Sequence, residues 1–173
     1  AANTAESRGV ICTTTKDARS LVSAVGNDAG AKGFLLVTDI DTGKSVQIPC
    51  PGPVAQSATF GSMLSTNGSF YTAQGRVLLE FDVSRMEWSH HATPVEAVAH
   101  YMSFTEAPES TLIWMAGYPT CDLVSYDPAT RKSTVHGRFD TGEKYPQSLA
   151  VDSEGWVYAG IGTARCNLVG YDP

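Results

Sequence analysis

One short pattern, an apolar run that ends in aspartate and opens a turn, recurs along the chain at nearly constant spacing. The four aspartates are Asp39, Asp82, Asp127 and Asp172. They follow one another at intervals of 43, 45 and 45 residues. A fixed period of this length is typical of repeats in which each copy forms one four-stranded sheet, or blade, of a β-propeller.

The last two copies of the pattern are nearly identical, and they predict how side chains alternate along a strand. Residues 121–128 read CDLVSYDP and residues 166–173 read CNLVGYDP. Successive residues of a strand point to opposite faces of the sheet. We therefore expect equivalent positions on one face for Val124, Tyr126, Val169 and Tyr171, and on the other face for Leu123 and Leu168.

Each period divides into short alternating segments separated by turn signals such as Asn67-Gly68, which predicts four antiparallel strands per blade. The predicted fold class is all-β, a β-propeller fragment of about four blades. The sequence stops in a turn at Asp172-Pro173, so we expect the last blade to lack its outer strand. The expected blades are residues 7–50, 51–93, 94–140 and 141–173.

An open edge of this kind predicts missing blades or self-association, because only a complete ring covers all its faces. We expect a piece of a larger ring of about six to eight blades.

Composition excludes several classes of partner. The net charge of −6 argues against nucleic acid, and no apolar run approaches the roughly 18 residues of a membrane span. The four cysteines form no C-x-x-C pair, so we expect no metal site. The repeated aspartates are predicted to cap turns rather than to bind metal. No nucleotide-binding glycine motif is present, and we expect no cofactor.

Two sets of residues are predicted to be buried between blades. Cys121 and Cys166 hold the same repeat position, where a disulfide has no geometric support, so we expect both to be unpaired and largely buried. The tryptophans lie inside predicted strands, and we expect them in the core rather than on a ligand surface. They are Trp88, Trp114 and Trp156.

Blade topology predicts where a binding site would lie. The loops that enter each blade and the loops that join its second and third strands meet at the same rim. Loops held by a rigid scaffold often carry binding residues. The mixture of aromatic, imidazole and cationic groups at this rim suits an acidic saccharide. The predicted ligand-binding residues are His100, Tyr101, Tyr118, Lys144, Tyr145 and Arg165.

Two segments, GYPTCDLVSYDPATRK and YPQSLAVDSEGWVYAGIGTARCNLVGYDP, resemble bacterial propeller repeats of the kelch-like and quinoprotein-like kinds. This resemblance implies a secreted or periplasmic protein. Similar repeats occur in propeller polysaccharide lyases, and the resemblance implies His and Tyr as proton-transfer groups there, with Arg or Lys neutralising a uronate carboxylate. No catalytic residue can be assigned by matching motifs.

The sequence leaves three functions open. We favour a ligand-binding platform, with an acidic oligosaccharide or a protein as the partner. A polysaccharide lyase that cleaves uronates by β-elimination is the alternative, so enzyme activity is undecided. A protein-interaction scaffold is the third possibility, since propellers carry many unrelated functions.

Overall fold

The computed structural model describes residues 4–15, 17–52 and 59–173, with the backbone alone for residues 4–6. The chain divides into two compact units, Ala1–Ala92 and Thr93–Pro173. Each unit contains two antiparallel sheets whose strands follow one another in chain order. The described residues contain fifteen strands and no helix. Accordingly, no helix there has the length and apolar character needed to cross a membrane.

The first unit contains two four-stranded sheets. The first sheet comprises β1 Thr4–Thr14, β2 Ser20–Asp28, β3 Gly33–Asp39 and β4 Ser45–Pro49. The second sheet comprises β5 Ser62–Leu64, β6 Ser69–Gln74, β7 Val77–Asp82 and β8 Glu87–Ala92. Apolar residues of the two sheets, including Leu35, Val37, Phe70 and Phe81, share one buried cluster.

The second unit contains one complete sheet and one that lacks a fourth strand. The third sheet comprises β9 His100–Glu106, β10 Ile113–Tyr118, β11 Asp122–Asp127 and β12 Lys132–Arg138. The fourth sheet comprises β13 Pro146–Val151, β14 Val157–Ile161 and β15 Asn167–Tyr171. The predicted all-β class of four antiparallel sheets, the last with three strands, is confirmed.

The strand register confirms the predicted equivalence of the third and fourth sheets. Val124 pairs with Met115 on the neighbouring strand, just as Val169 pairs with Ala159. Two residues further along, Tyr126 pairs with Ile113 as Tyr171 pairs with Val157. The valine and the tyrosine thus have equivalent partners in both sheets. The two copies are therefore aligned without the one-residue slip that would send every side chain to the opposite face of the sheet.

Three of the four repeated aspartates cap turns, as predicted. The carboxylate of Asp39 accepts a hydrogen bond from the backbone N–H of Thr42, and Asp82 and Asp127 make the same kind of bond to the turns that follow them. Hydrogen bonds hold the pKa of each of the three carboxyls below its ordinary value, chiefly the backbone bond from Thr42 at Asp39. At Asp82 and Asp127 the largest contribution comes from the side-chain hydroxyls of Ser84 and Thr130. The three aspartates therefore close turns between the third and fourth strands of their sheets.

Burial of the cysteines and tryptophans differs between the third and fourth sheets. Cys121 is buried and unpaired, as expected, whereas its repeat equivalent Cys166 is exposed and unpaired. Trp114 is 2% exposed, whereas Trp156 is 37% exposed. The prediction that Cys166 and Trp156 are buried is therefore wrong. The fourth sheet covers one face of the third, whereas the corresponding face of the fourth exposes its side chains.

Candidate functional site

Three ring side chains form a continuous row at one edge of the second unit. His100 and Tyr118 occupy directly opposite positions at the ends of β9 and β10. Their rings stack with centroids 4.8 Å apart and an interplanar angle of 16°. The Tyr118 ring also contacts that of Tyr145, at 4.7 Å and 37°. We call these three residues the aromatic row. All three residues are half-buried.

Backbone hydrogen bonds hold the segments that carry the aromatic row. The N–H of Ala99 donates to the carbonyl of Tyr118 at 2.7 Å, which ties the segment entering β9 to the end of β10. The N–H of Gly162 donates to the carbonyl of Tyr145 at 2.9 Å. The row is therefore anchored to both sheets of the second unit.

Glu143 fastens together the two loops next to the aromatic row, a role that the sequence did not indicate. Its carboxylate accepts hydrogen bonds from the backbone N–H groups of Thr163 at 3.1 Å, Ala164 at 3.2 Å and Arg165. The residue is 3% exposed. The hydrogen bond from Arg165, followed by that from Thr163, lowers the pKa of the Glu143 carboxyl. The arrangement is an anion-binding nest of backbone N–H groups filled by a side chain of the same unit.

Asp140 reinforces the same pair of loops. Its carboxylate accepts the backbone N–H of Glu143 at 2.9 Å and of Gly142 at 2.6 Å, and it also binds the Asn167 side chain. These bonds, with a smaller contribution from the charge of Arg165, lower the pKa of the Asp140 carboxyl. Arg165 therefore lies within electrostatic range of an acidic group.

The structure brings five of the six predicted site residues to one edge. Lys144 precedes Tyr145 in one loop, Arg165 lies in the other, and both side chains are exposed. Tyr101 does not join them. It is fully buried and contacts Phe104 in an edge-to-face arrangement, because neighbouring residues of a strand point to opposite faces. Burial, with the charge of Asp122, raises the pKa of the Tyr101 hydroxyl.

The aromatic row changes the acid–base character of one tyrosine. The hydrogen bond that Tyr145 shares with the Tyr118 side chain favours the protonated phenol and raises the pKa of Tyr145. A raised pKa keeps the phenol protonated at neutral pH, where its hydroxyl is a hydrogen-bond donor. The row therefore offers ring faces and hydroxyl donors rather than a ready proton acceptor at Tyr145. Among the described residues, no cluster of three or more His, Cys, Asp or Glu could hold a metal ion.

The described part of the second unit also contains a polar cluster that the sequence did not reveal. His136 lies between the hydroxyls of Ser125, at 2.8 Å, and Tyr171, at 3.0 Å. Its ring packs on Trp114, and burial lowers the pKa of the imidazole. The cluster joins the third sheet to the fourth, and its half-buried place between them fits a packing role.

Comparison with known proteins supports the fold and nothing finer. No protein-family model matches the sequence, and no curated protein matches it. Several solved structures share its fold. One is virginiamycin B lyase from Staphylococcus aureus, at 14% identity and a TM-score of 0.67, with 97% of this chain and 59% of the lyase covered. The chain is a β-propeller-like repeat protein.

Two further structures with the same fold belong to proteins of other kinds. Hydrazine synthase from Kuenenia stuttgartiensis matches at 13% identity and a TM-score of 0.61, over 93% of this chain and 45% of that one. The extracellular domain of a proposed one-component system from B. thetaiotaomicron matches at 13% identity and a TM-score of 0.61, over 94% of this chain and 26% of that one. This chain thus spans less than two thirds of each of the three proteins. At these identities the likeness shows the fold alone.

The Glu143 contacts predict that acid releases the loop at residues 162–166. Because the folded pKa of Glu143 lies below the ordinary value of 4.5, its stabilising contribution is complete above that pH and is lost as the pH falls below it. Glu143→Gln should raise amide hydrogen exchange at residues 163–165 at neutral pH, since the neutral amide accepts fewer strong bonds. Equal exchange in this variant and in Glu154→Gln, a change at an exposed turn, would contradict the assignment.

Proposed function

We propose that the second unit binds an acidic saccharide at the aromatic row. The observation that carries this proposal is the row itself: three adjoining ring side chains on half-buried residues, fixed by two sheets. Aromatic faces offer rigid apolar area to the C–H faces of a sugar, and Tyr hydroxyls at the same place supply hydrogen-bond donors. A sugar could therefore lie along the row and contact more than one ring.

The cationic loops give the preference for an acidic sugar. Lys144 and Arg165 lie on the loops that Glu143 ties together beside Tyr145. Their side chains are exposed and can reach a carboxylate in solution, Arg by a two-pronged hydrogen bond. The chain as a whole carries a net charge of −6. Attraction for an anion must therefore come from these nearby cations and not from the protein's overall field.

Arg165→Ala is expected to weaken binding of an acidic oligosaccharide more than binding of the same sugar with its carboxyls reduced to alcohols. Arg165 is exposed and close to Asp140, so we expect a loss of about 1 kcal/mol, roughly fivefold. Isothermal titration with the two matched sugars measures the difference. Lys132→Ala is the charge-matched control, because Lys132 lies at the far end of the third sheet. An equal loss for both sugars would show that Arg165 does not contact the carboxylate.

A uronate lyase is the second candidate, and the stacked His100 and Tyr118 side chains are the observation that favours it. In β-elimination a base removes the proton at C5 of the uronate, the bond from C4 to the leaving sugar oxygen breaks, and that oxygen takes up a proton. His and Tyr can fill the two roles. No sequence motif assigns either role to a residue of this chain, and we therefore favour binding.

The two candidates differ in one readout. Elimination creates a carbon–carbon double bond conjugated with the carboxylate, so a lyase raises the ultraviolet absorbance of a polyuronate solution. Binding alone leaves it unchanged. We expect no increase with the wild-type protein. A steady increase that disappears in His100→Ala would establish the lyase.

A further inference from the structure

The fourth sheet presents a large apolar face to solvent. Its side chains alternate along β14 and β15, so that one face contacts the third sheet and the other points away from it. We call this second face the outward face. Leu168 on this face is 78% exposed, and Tyr158 is 37% exposed beside Trp156, also at 37%. Contiguous exposed side chains of this size are typical of a surface that packs on a partner.

The equivalent face of the third sheet is buried, because the fourth sheet packs on it. Leu168 pairs with Gly160 across the strands as Leu123 pairs with Ala116. Tyr158 likewise corresponds to Trp114. Yet Leu123 and Trp114 are 1% and 2% exposed, because they pack in one cluster with residues of the fourth sheet. The same repeat positions are thus buried wherever a following sheet covers them.

The covering face of the fourth sheet has a distinctive pattern. Ala159 lies at its centre on β14 and pairs with Leu149 on one side and Val169 on the other. Val157 precedes Ala159 by two residues on the same face. On this face Val157 and Leu149 pack with Leu123 and Trp114 of the third sheet, and Ala159 packs with Cys121.

The first sheet carries the same pattern on the face that points away from the second sheet. Ala24 lies at its centre on β2 and pairs with Val10 on one side and Leu36 on the other. Val22 precedes Ala24 by two residues on the same face. Val10 is 63% exposed, and the other three are half-buried. This outer face is therefore the register equivalent of the face that buries Trp114 and Leu123.

We propose that the chain associates with a second copy of itself, the outward face of the fourth sheet in one copy packing on the outer face of the first sheet in the other. The contact repeats the packing of the third sheet on the fourth, with Leu168 and Tyr158 in place of Leu123 and Trp114. Because the two surfaces differ, the association is head-to-tail, and it forms a closed ring if its rotation closes and an open chain otherwise.

Single charges on either surface test the proposal. Light scattering of the wild-type protein should give a mass of at least twice the 18.4 kDa of one chain, falling towards one chain on dilution. Leu168→Lys and Val10→Lys should each stay monomeric at concentrations where the wild type associates. Both side chains are exposed, so both variants should keep their fold, which circular dichroism checks. Val135→Lys is the control, since Val135 is exposed on β12 of the third sheet.

Mixing the two variants distinguishes this arrangement from others. Leu168→Lys retains an intact first sheet and Val10→Lys an intact fourth sheet, so their mixture should form dimers of twice the single-chain mass and nothing larger. A wild-type protein that is monomeric throughout would overturn the proposal. So would association that Leu168→Lys abolishes but Val10→Lys leaves intact, which would mean that two fourth sheets pack together. A mixture that stays monomeric would exclude the head-to-tail contact.

Discussion

Leu123→Ala should destabilise the second unit by about 2–5 kcal/mol, whereas Leu168→Ala should change its stability by less than about 0.5 kcal/mol. The two leucines hold the same repeat position, at 1% and 78% exposure. Truncating Leu123 removes contacts between the third and fourth sheets and leaves a cavity beside Trp114 and Val157. Truncating Leu168 creates no cavity, because water already surrounds most of this side chain and fills the space that it leaves. Urea unfolding followed by circular dichroism measures both changes.

The comparison is internally controlled, because strand, register and substitution are the same in both variants. It should be made on dilute protein, so that self-association adds nothing to the stability at Leu168. Equal destabilisation by the two changes would mean that the outward face of the fourth sheet is covered in solution. Negligible effects of both would mean that the third and fourth sheets do not pack as described.

Tyr118→Ala should weaken binding of an acidic saccharide by about 2 kcal/mol, roughly 30-fold. Tyr118 is the central ring of the aromatic row and contacts both His100 and Tyr145. Its removal therefore interrupts the row and leaves the two outer rings without their common neighbour. Tyr118→Phe should keep most of the affinity, because the ring and its contacts remain. Isothermal titration gives both values.

Tyr158→Ala is the matched control for this prediction. Tyr158 is also partly exposed in the second unit, but it belongs to the outward face of the fourth sheet, away from the aromatic row. Its truncation should leave the affinity unchanged. If Tyr118→Ala bound as well as the wild type, or if Tyr158→Ala lost as much, the aromatic row would not be the binding surface.

The fold could be predicted because its determinants repeat along the sequence. The spacing of the aspartates, the turn signals and the period-two alternation give the number of strands and their order. The match between CDLVSYDP and CNLVGYDP fixes the register, as the pairing of Val124 and Val169 confirms. The first strand begins at Thr4, before the expected start of the first blade at residue 7, because backbone pairing with β2 continues to Asp28.

Burial could not be predicted from the repeat alone. Cys121 and Cys166 occupy the same position, and both have a left-handed backbone, with φ of 55° and 57°. Yet only Cys121 is buried, because the next sheet along the chain packs against it. Its thiol donates a hydrogen bond to the carbonyl of Glu143 at 3.2 Å. Burial raises the pKa of the Cys121 thiol to about 11. The environment of a repeat position depends on its neighbour in space, which one copy's sequence does not contain.

The candidate site was only partly accessible to sequence reasoning. Topology correctly indicated that the segments bearing His100, Tyr118 and Tyr145 meet, since these loops share an edge. It could not show that Tyr101 is buried, because that depends on which face the strand end presents. Nor could it find Glu143, whose importance comes from three backbone N–H groups converging in a loop. No residue pattern marks such a convergence.

The proposed function is tested most directly by mapping where a uronate oligosaccharide binds. Titration of isotope-labelled protein, followed by amide chemical shifts, should give saturable changes confined to residues 99–101, 117–120, 143–146 and 162–166. The carboxyl-reduced sugar should cause smaller changes at the same amides. Saturable changes centred on the first unit or on β14 and β15, or no change with any acidic oligosaccharide, would contradict the assignment of the aromatic row as a saccharide site.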